Sequence, residues 1–186
     1  MLLNFIKNKH QISINPKLSL MKELSYKIIS KDQITTQVAD DFIKMLDKQG
    51  KVQVPTVEKI KTCREIILCY LDSVLVGVGA LKTKTKSDFG TQKSGLVELE
   101  NKFTWELGYL YTEPQFRKVG IATTITRLLL LDKENENLLA TTELYSSNSM
   151  IYILEKFGFR QCGKPWKSGQ HDGILGLFLK VKPGEK

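Results

Sequence analysis

Apolar and polar positions along the chain fall into blocks that predict a succession of strands and amphipathic helices. Leu24 to Ser30 is the first convincing strand. After Thr35 and Thr36, either able to cap, Val38, Phe42, Ile43 and Leu46 follow helical spacing, with Asp40 and Asp41 near the positive end of the helix dipole. Gly50 ends that helix, and Pro55 followed by Val57 and Ile60 predicts a second, short one. Glu65 to Leu71 reads as an apolar strand, joined through the turn Asp72-Ser73 to Leu75 to Leu81 as an antiparallel hairpin. The polar segment Lys82 to Lys102, containing Gly90 and Gly95, is longer than an ordinary hairpin connection and predicts a mobile or substrate-facing loop. Trp105 to Tyr111 is a strand, then come Pro114 and a glycine-bearing turn that opens a helix from Ile121 to Lys133, with Ile125, Leu128, Leu129 and Leu131 on its apolar positions. Leu138 to Leu144 is the next strand. Ser147 or Asn148 caps a helix from Met150 to Phe157, Gly158 terminates it, and Phe159 to Cys162 and Ile174 to Val181 are the last strands. The predicted order is β-α-α-β-β-β-α-β-α-β-β.

Length and composition fit one ordinary domain. The chain has 186 residues, 41% apolar and 26% charged, close to soluble globular averages. Residues 1–20 carry weak periodicity and Met21 stands directly before the first strand, so the first twenty residues read either as a loose tail or as an upstream start, and 21–186 as the domain. No apolar run is long enough to span a membrane, and Met1 to Lys7 breaks off too early for a secretory signal, which gives a cytoplasmic reading. Cys63, Cys69 and Cys162 show no C-x-x-C spacing, and His10 and His171 lie far apart, so neither a disulfide framework nor a metal site is expected. With 28 Lys+Arg against 20 Asp+Glu the net charge is +8, which favours an anionic partner. Lys82, Lys84 and Lys86 alternate with Thr and Ser without interleaved aromatics, which argues for a solvated basic surface rather than a nucleic-acid groove.

Between a predicted strand and a predicted helix lies Arg117-Lys118-Val119-Gly120-Ile121-Ala122. Unpaired helix N–H groups and the positive end of the dipole converge there, and an anion is expected. Gly120 and the small Ala122 let backbone amides from Val119 to Thr123 approach a pyrophosphate, with Arg117 and Lys118 adding charge at the rim. Taken alone, the same residues also fit a tight strand-to-helix turn.

This Arg-x-x-Gly-x-Ala segment resembles the R/Q-x-x-G-x-G/A motif of the GNAT superfamily of N-acetyltransferases, and Ser147-Asn148 followed by Ile153-Leu154-Glu155-Lys156-Phe157-Gly158-Phe159 is similar to that family's N…Y-E-K-x-G-F segment. The resemblance covers Trp105 to Phe159 by motif and Leu24 to Thr104 only by element order. It implies an α/β fold, a mixed and mostly antiparallel central sheet flanked by helices, that binds acetyl-CoA and transfers its acetyl group to a primary amine of a small molecule, peptide or protein. The backbone of Leu110, Tyr111 and Thr112 would pair with the pantetheine arm as an added strand. The Leu110 amide would face the thioester oxygen and stabilise the developing oxyanion.

Glu106 lies eleven residues before Arg117, the offset at which several family members place a general-base glutamate; by strand alternation it shares a face with Gly108 and Leu110. A surface glutamate on a half-exposed strand is the other reading. The tyrosine that commonly protonates the leaving thiolate falls at Leu154, and neither Tyr152 nor Tyr145 is a clean replacement. A thiol of ordinary pKa near 8.5 leaves largely as thiolate, so this loss need not abolish turnover. Asn148 would hydrogen-bond the pantetheine or cap its helix. Leu154 also prompts the alternative of a catalytically weak acyl-CoA-binding regulatory module. The acceptor pocket would be built from Gln33 to Thr62 and Lys82 to Lys102, and neither carries a motif that identifies the acceptor. A homodimer is left open by the sequence.

Overall fold

The computed structural model describes residues 23–50, 53–145 and 148–184, so the predicted tail 1–20 and the Ser147 cap lie outside the described residues. Strands β1 (Leu24–Ser30), β2 (Glu65–Leu71), β3 (Val74–Thr83), β4 (Trp105–Thr112), β5 (Leu138–Glu143), β6 (Arg160–Lys167) and β7 (Ile174–Lys180) form one sheet in the order β1-β2-β3-β4-β5-β7-β6. Helices α1 (Thr36–Asp47), α2 (Val57–Lys61), α3 (Ile121–Leu129) and α4 (Asn148–Lys156) complete the predicted order. Every neighbouring strand pair is antiparallel except β4 and β5, which run parallel. Local chemistry explains many of the boundaries. Thr35 Oγ1 accepts from the Val38 amide at 3.3 Å to cap α1, and Thr56 does the same for Lys59 in α2. Asp72 and Ser73, at φ 48° and 78°, make the two-residue turn whose twist suits a hairpin.

Helices α3 and α4 bury Ile121, Ile125, Leu129 and Leu154 against one face of the sheet, with Leu107, Leu138 and Phe159. On the opposite face, α1 and α2 bury Ala39, Phe42, Leu46 and Ile60 over Ile66, Leu68 and Val78. Farther along that second face, Phe89 and Phe103 cover Leu139, Leu177 and Leu179 beside Trp166. The expectation of a mobile loop over Lys82 to Lys102 is therefore corrected on one side: the segment is pinned by buried Asp88, Phe89 and Ser94. The Ser94 carbonyl accepts from the Lys164 amide of β6 at 2.9 Å.

Other expectations need correction. Helix α3 stops at Leu129 rather than Lys133, and Leu131 is exposed: Asp132 takes φ 59°, outside the right-handed helical region, and the Lys133 side chain turns back to donate to the Leu131 carbonyl at 3.0 Å and faces Glu65 of β2. Strand β6 runs on to Lys167 instead of ending at Cys162, its pairing with β7 interrupted between Cys162 and Trp166, where Gly163 takes φ 70°. Lys82 and Lys84 are not solvated: they pair with Glu106 and Glu100, with side chains 12% and 9% exposed. Among the described residues no helix is long and apolar enough to cross a membrane.

Two glycines of β3 set how closely α3 can lie. A methyl at Gly79 would stand 2.5 Å from Ile125 Cγ2 and 2.9 Å from Leu110 Cδ2. Gly79→Ala is expected to cost about 1–3 kcal/mol through overpacking, measured as a fall in urea midpoint at constant m-value. Leu154 is fully buried in the same cluster. Leu154→Tyr therefore forces a ring and hydroxyl into packed apolar surroundings; a lower melting temperature is expected, whereas an unchanged one would mean that the ring finds room.

Candidate functional site

The parallel pairing of β4 and β5 is only two residues long, Trp105 with Leu138 and Glu106 with Leu139. From Leu107 to Thr112 strand β4 has no partner on its β5 side, although β5 goes on pairing with β7 on its other edge from Leu138 to Glu143. The result is a cleft that widens away from Glu106. Leu110, Tyr111 and Thr112 lie along its open edge, and the chain then leads through a short turn at Pro114–Phe116 to the amino end of α3.

At that end Gly120 is the cap residue, with φ 89° and ψ 2°, and no side chain caps the helix. The first intrahelical bond runs from the Thr124 amide to the Gly120 carbonyl at 2.9 Å, leaving the preceding amides of Ile121, Ala122 and Thr123 outside the helical ladder. Lys118 also takes positive φ, 66°, and Val119 between them is exposed. A Cβ placed on Gly120 would meet nothing within 4 Å, so the space beside the turn is open. These are the features of an anion cradle. Arg117 donates from Nε to the Thr112 carbonyl at 3.1 Å, which ties the loop to the end of β4 and keeps the guanidinium beside it.

Tyr109 has φ 54°, and the register of β3 on β4 jumps from Val78↔Tyr111 to Ala80↔Gly108, so Tyr109 and Leu110 together oppose the single residue Gly79. This bulge breaks the simple alternation expected of the strand. Glu106 and Gly108 do share a face; Leu110 does not, and its side chain packs with the α3 cluster while Tyr109 and Tyr111 pack toward α1. The Tyr109 ring is held edge-on to Phe42 at 6.2 Å, and Lys82 Nζ lies 5.4 Å from its centroid. Burial raises the Tyr109 phenol well above its ordinary pKa.

Glu106 is only 5% exposed, which removes the reading of a surface glutamate. Its Oε2 takes Lys82 Nζ at 2.5 Å, the Thr85 amide at 2.9 Å and the Thr85 hydroxyl at 3.0 Å. Its Oε1 lies 3.6 Å from the place a Cβ on Gly108 would occupy, so it looks along β4 past the missing side chain toward the bulge. Burial pushes the neighbouring Cys63 thiol up to about 11, keeping it protonated at neutral pH. Lys82 and Thr85 are partners that the sequence reading missed, because only the β3–β4 register sets Lys82 opposite Glu106.

Two further contacts were not foreseen. Gln49, just beyond α1, donates from Nε2 to the Leu110 carbonyl at 3.4 Å, and its Oε1 is buried without a partner. Lys48 bridges to Glu113. They bring the end of α1 over the open edge, while Asp88 of the β3–β4 connection accepts from Thr141 of β5 at 2.8 Å. The two segments predicted to wall the acceptor pocket thus lie on the same face of the sheet as Glu106. Leu154 offers no hydroxyl and is core; Tyr152 and Tyr145 are exposed, 66% and 77%. Asn148 is the first residue of α4, which begins two residues earlier than predicted.

No protein-family model matches the sequence, and no curated protein matches it. Solved structures do match in fold. The NAA60 protein of Arabidopsis thaliana in complex with a bisubstrate analogue is 12% identical, with a TM-score of 0.60 over 88% of this chain and 100% of that one. Arabidopsis thaliana Naa50, bound to the bisubstrate analogue CoA-Ac-MVNAL, is 12% identical, with a TM-score of 0.61 over 84% of this chain and 99% of that one. A GNAT-family acetyltransferase from Streptococcus pneumoniae is 12% identical, with a TM-score of 0.59 over 86% of this chain and 99% of that one. The chain has the GNAT N-acetyltransferase fold, a mixed and mostly antiparallel seven-stranded sheet flanked by helices.

Proposed function

We propose that this protein is an acetyl-CoA-dependent N-acyltransferase that moves the acetyl group to a primary amine by direct attack on the thioester. The observation that carries the reading is the cleft that opens where β4 leaves β5 and runs straight into an uncapped helix terminus at Gly120. An open strand edge suits the amide-bearing pantetheine arm, and free helix amides suit the pyrophosphate. The residues present fit that cosubstrate. Leu110, Tyr111 and Thr112 would bind it through main-chain groups, Arg117 to Thr123 would hold its phosphates, and Asn148 at the start of α4 would contact the pantetheine or serve its helix.

In this reading Glu106 is the proton acceptor. It sits where the cleft begins, and Lys82 and Thr85 fix one carboxylate oxygen and leave the other directed along β4. The bulge at Tyr109 turns the main chain at Leu110, which would supply the amide that meets the thioester oxygen. Leu154 supports a second reading, an acyl-CoA-binding module of little catalytic power, because its burial leaves no hydroxyl at the position of the usual acid. A carboxylate held at the cleft favours the enzyme, since a regulatory cleft has no use for one.

Gly120→Asp tests the phosphate cradle. Aspartate tolerates positive φ better than most residues, so only a modest fall in melting temperature is expected, while affinity for acetyl-CoA by calorimetry should fall about tenfold or more. Unchanged affinity would remove the assignment. Glu106→Gln keeps shape and an oxygen for Lys82 but loses basicity. With any accepted amine, kcat/KM near neutral pH should drop ~10²-fold or more, with acetyl-CoA affinity retained. A variant with the parent's rate and pH profile would defeat the base role.

A further inference from the structure

The carboxylates beside the cleft are already matched to cations. Glu106 holds Lys82 at 2.5 Å, Asp88 holds Lys93 at 2.7 Å and Glu113 holds Lys48. Glu143, farther along β5, also has a partner. The remaining titratable groups facing the Glu106–Lys82 pair add no negative charge: Tyr109 and Cys63 are both pushed up by burial, and the nearest other charge acting on Cys63 from α2 is Lys59, again a cation. Among the described residues, an acceptor amine that arrived as an ammonium at Glu106, Asp88 or Glu113 would find the carboxylate already holding a lysine. It would have to share Glu106 with Lys82, whose ammonium is held in place by the carboxylate, the Thr85 hydroxyl at 3.2 Å and the Tyr109 ring. Two ammonium groups on one buried carboxylate repel each other strongly where water is scarce.

We infer that the acceptor is a weakly basic primary amine that enters uncharged, of the α-amino kind, and that Lys82 is the positioning and specificity-determining residue that turns away alkylammonium acceptors of the lysine kind. The inference rests on the N-acyltransferase reading and names its substrate class. Ordinary proton affinities make the distinction large: at pH 7 about one α-amine in ten is neutral, against roughly one lysine amine in a few thousand. The neutral nitrogen attacks the thioester carbonyl carbon, a C–N bond forms, and the C–S bond breaks with its electron pair leaving on sulfur. The nitrogen's proton passes to Glu106 Oε1, the oxygen not engaged by Lys82 and Thr85. Solvent then protonates the thiolate and takes the proton from Glu106, so the products are the amide and the free thiol. Lys82 touches neither reactant; it holds Oε2, and its charge excludes a second cation.

The test uses the full chain with saturating acetyl-CoA and two probes, tri-alanine amide, which offers only an α-amine, and N-acetyl-Gly-Lys-Gly amide, which offers only a lysine amine. At pH 7 kcat/KM for the α-amine probe should exceed that for the lysine probe at least ~100-fold, and the lysine probe should gain about tenfold per pH unit from 7 to 9. Lys82→Met, which frees Glu106 to receive an ammonium, should bring the two probes within about tenfold of each other at pH 7. Equal use of both probes by the parent would overturn the inference and leave the transferase reading standing, and so would an unchanged ratio in a cooperatively melting Lys82→Met variant. Should that variant not fold, Lys82→Gln, which keeps a donor to Glu106 without the charge, takes its place, with the same narrowing expected and an unchanged ratio overturning the inference. Transfer to neither probe overturns the inference, and calorimetry of the same sample with acetyl-CoA then shows whether the cofactor reading falls with it.

Discussion

Beyond Glu106 strand β4 can satisfy its backbone on one side only, and most of what is specific to this chain follows from that constraint. A strand inside a sheet normally spends its N–H and C=O groups on two neighbours. Here β5 pairs with β7 along its whole length but with β4 only at Leu138 and Leu139, so the two parallel strands part after two residues and leave an edge that faces a cleft instead of another strand. An open edge in a protein's interior is a liability unless something covers it. Two elements approach this one without closing it: the end of α1, through Gln49 on the Leu110 carbonyl, and the loop that leads to α3, through Arg117 on the Thr112 carbonyl. The cleft is therefore a parting of two strands and not a cavity left by poor packing, since both faces of the sheet around it are lined by fully buried side chains.

The bulge at Tyr109 is the second element of the same design. A tyrosine at positive φ costs on the order of 1–3 kcal/mol and persists only where its surroundings hold it. Phe42 meets the ring edge-on, Lys82 lies over it, and Gly79 opposite the bulge leaves room for the extra residue. What the bulge changes is direction. It sends the Leu110 side chain into the α3 cluster while Tyr109 and Tyr111 pack toward α1.

Element order, most boundaries and the Gly120 loop were legible because each has a local cause: threonine caps, a two-residue hairpin turn, apolar periodicity and a glycine where the left-handed region is required. The failures share a different cause. The face of Leu110 depended on a bulge, and a tyrosine at positive φ leaves no mark in the sequence. The end of α3 comes with Asp132 at positive φ and with Lys133 facing Glu65, a contact between segments far apart in the chain. Lys82 and Lys84 read as solvated charge because alternation with threonine is equally a surface pattern; only strand register set Lys82 opposite Glu106. The connection from Lys82 to Lys102 was flagged by length, but its two phenylalanine anchors had no periodicity to announce them.

Lys82 and Glu106 have to be understood as one unit. A buried ion pair gives little net stability, whereas removing one partner strands a charge and costs several kcal/mol. A glutamate placed alone at the start of the cleft would be drawn toward water or toward any cation that entered. With Lys82 and Thr85 on Oε2 it is held where the strand puts it, at the last residue of β4 still paired to β5. The absence of a side chain at Gly108 then matters as much as the charges do. A Cβ there would stand 2.9 Å from Lys82 Cε and 3.6 Å from Glu106 Oε1, displacing the lysine that orients the carboxylate and screening the oxygen that remains. Three consecutive features of β4, the carboxylate at 106, the vacancy at 108 and the turned tyrosine at 109, therefore form a continuous path along one face of the strand, from the paired end of the cleft to its open edge.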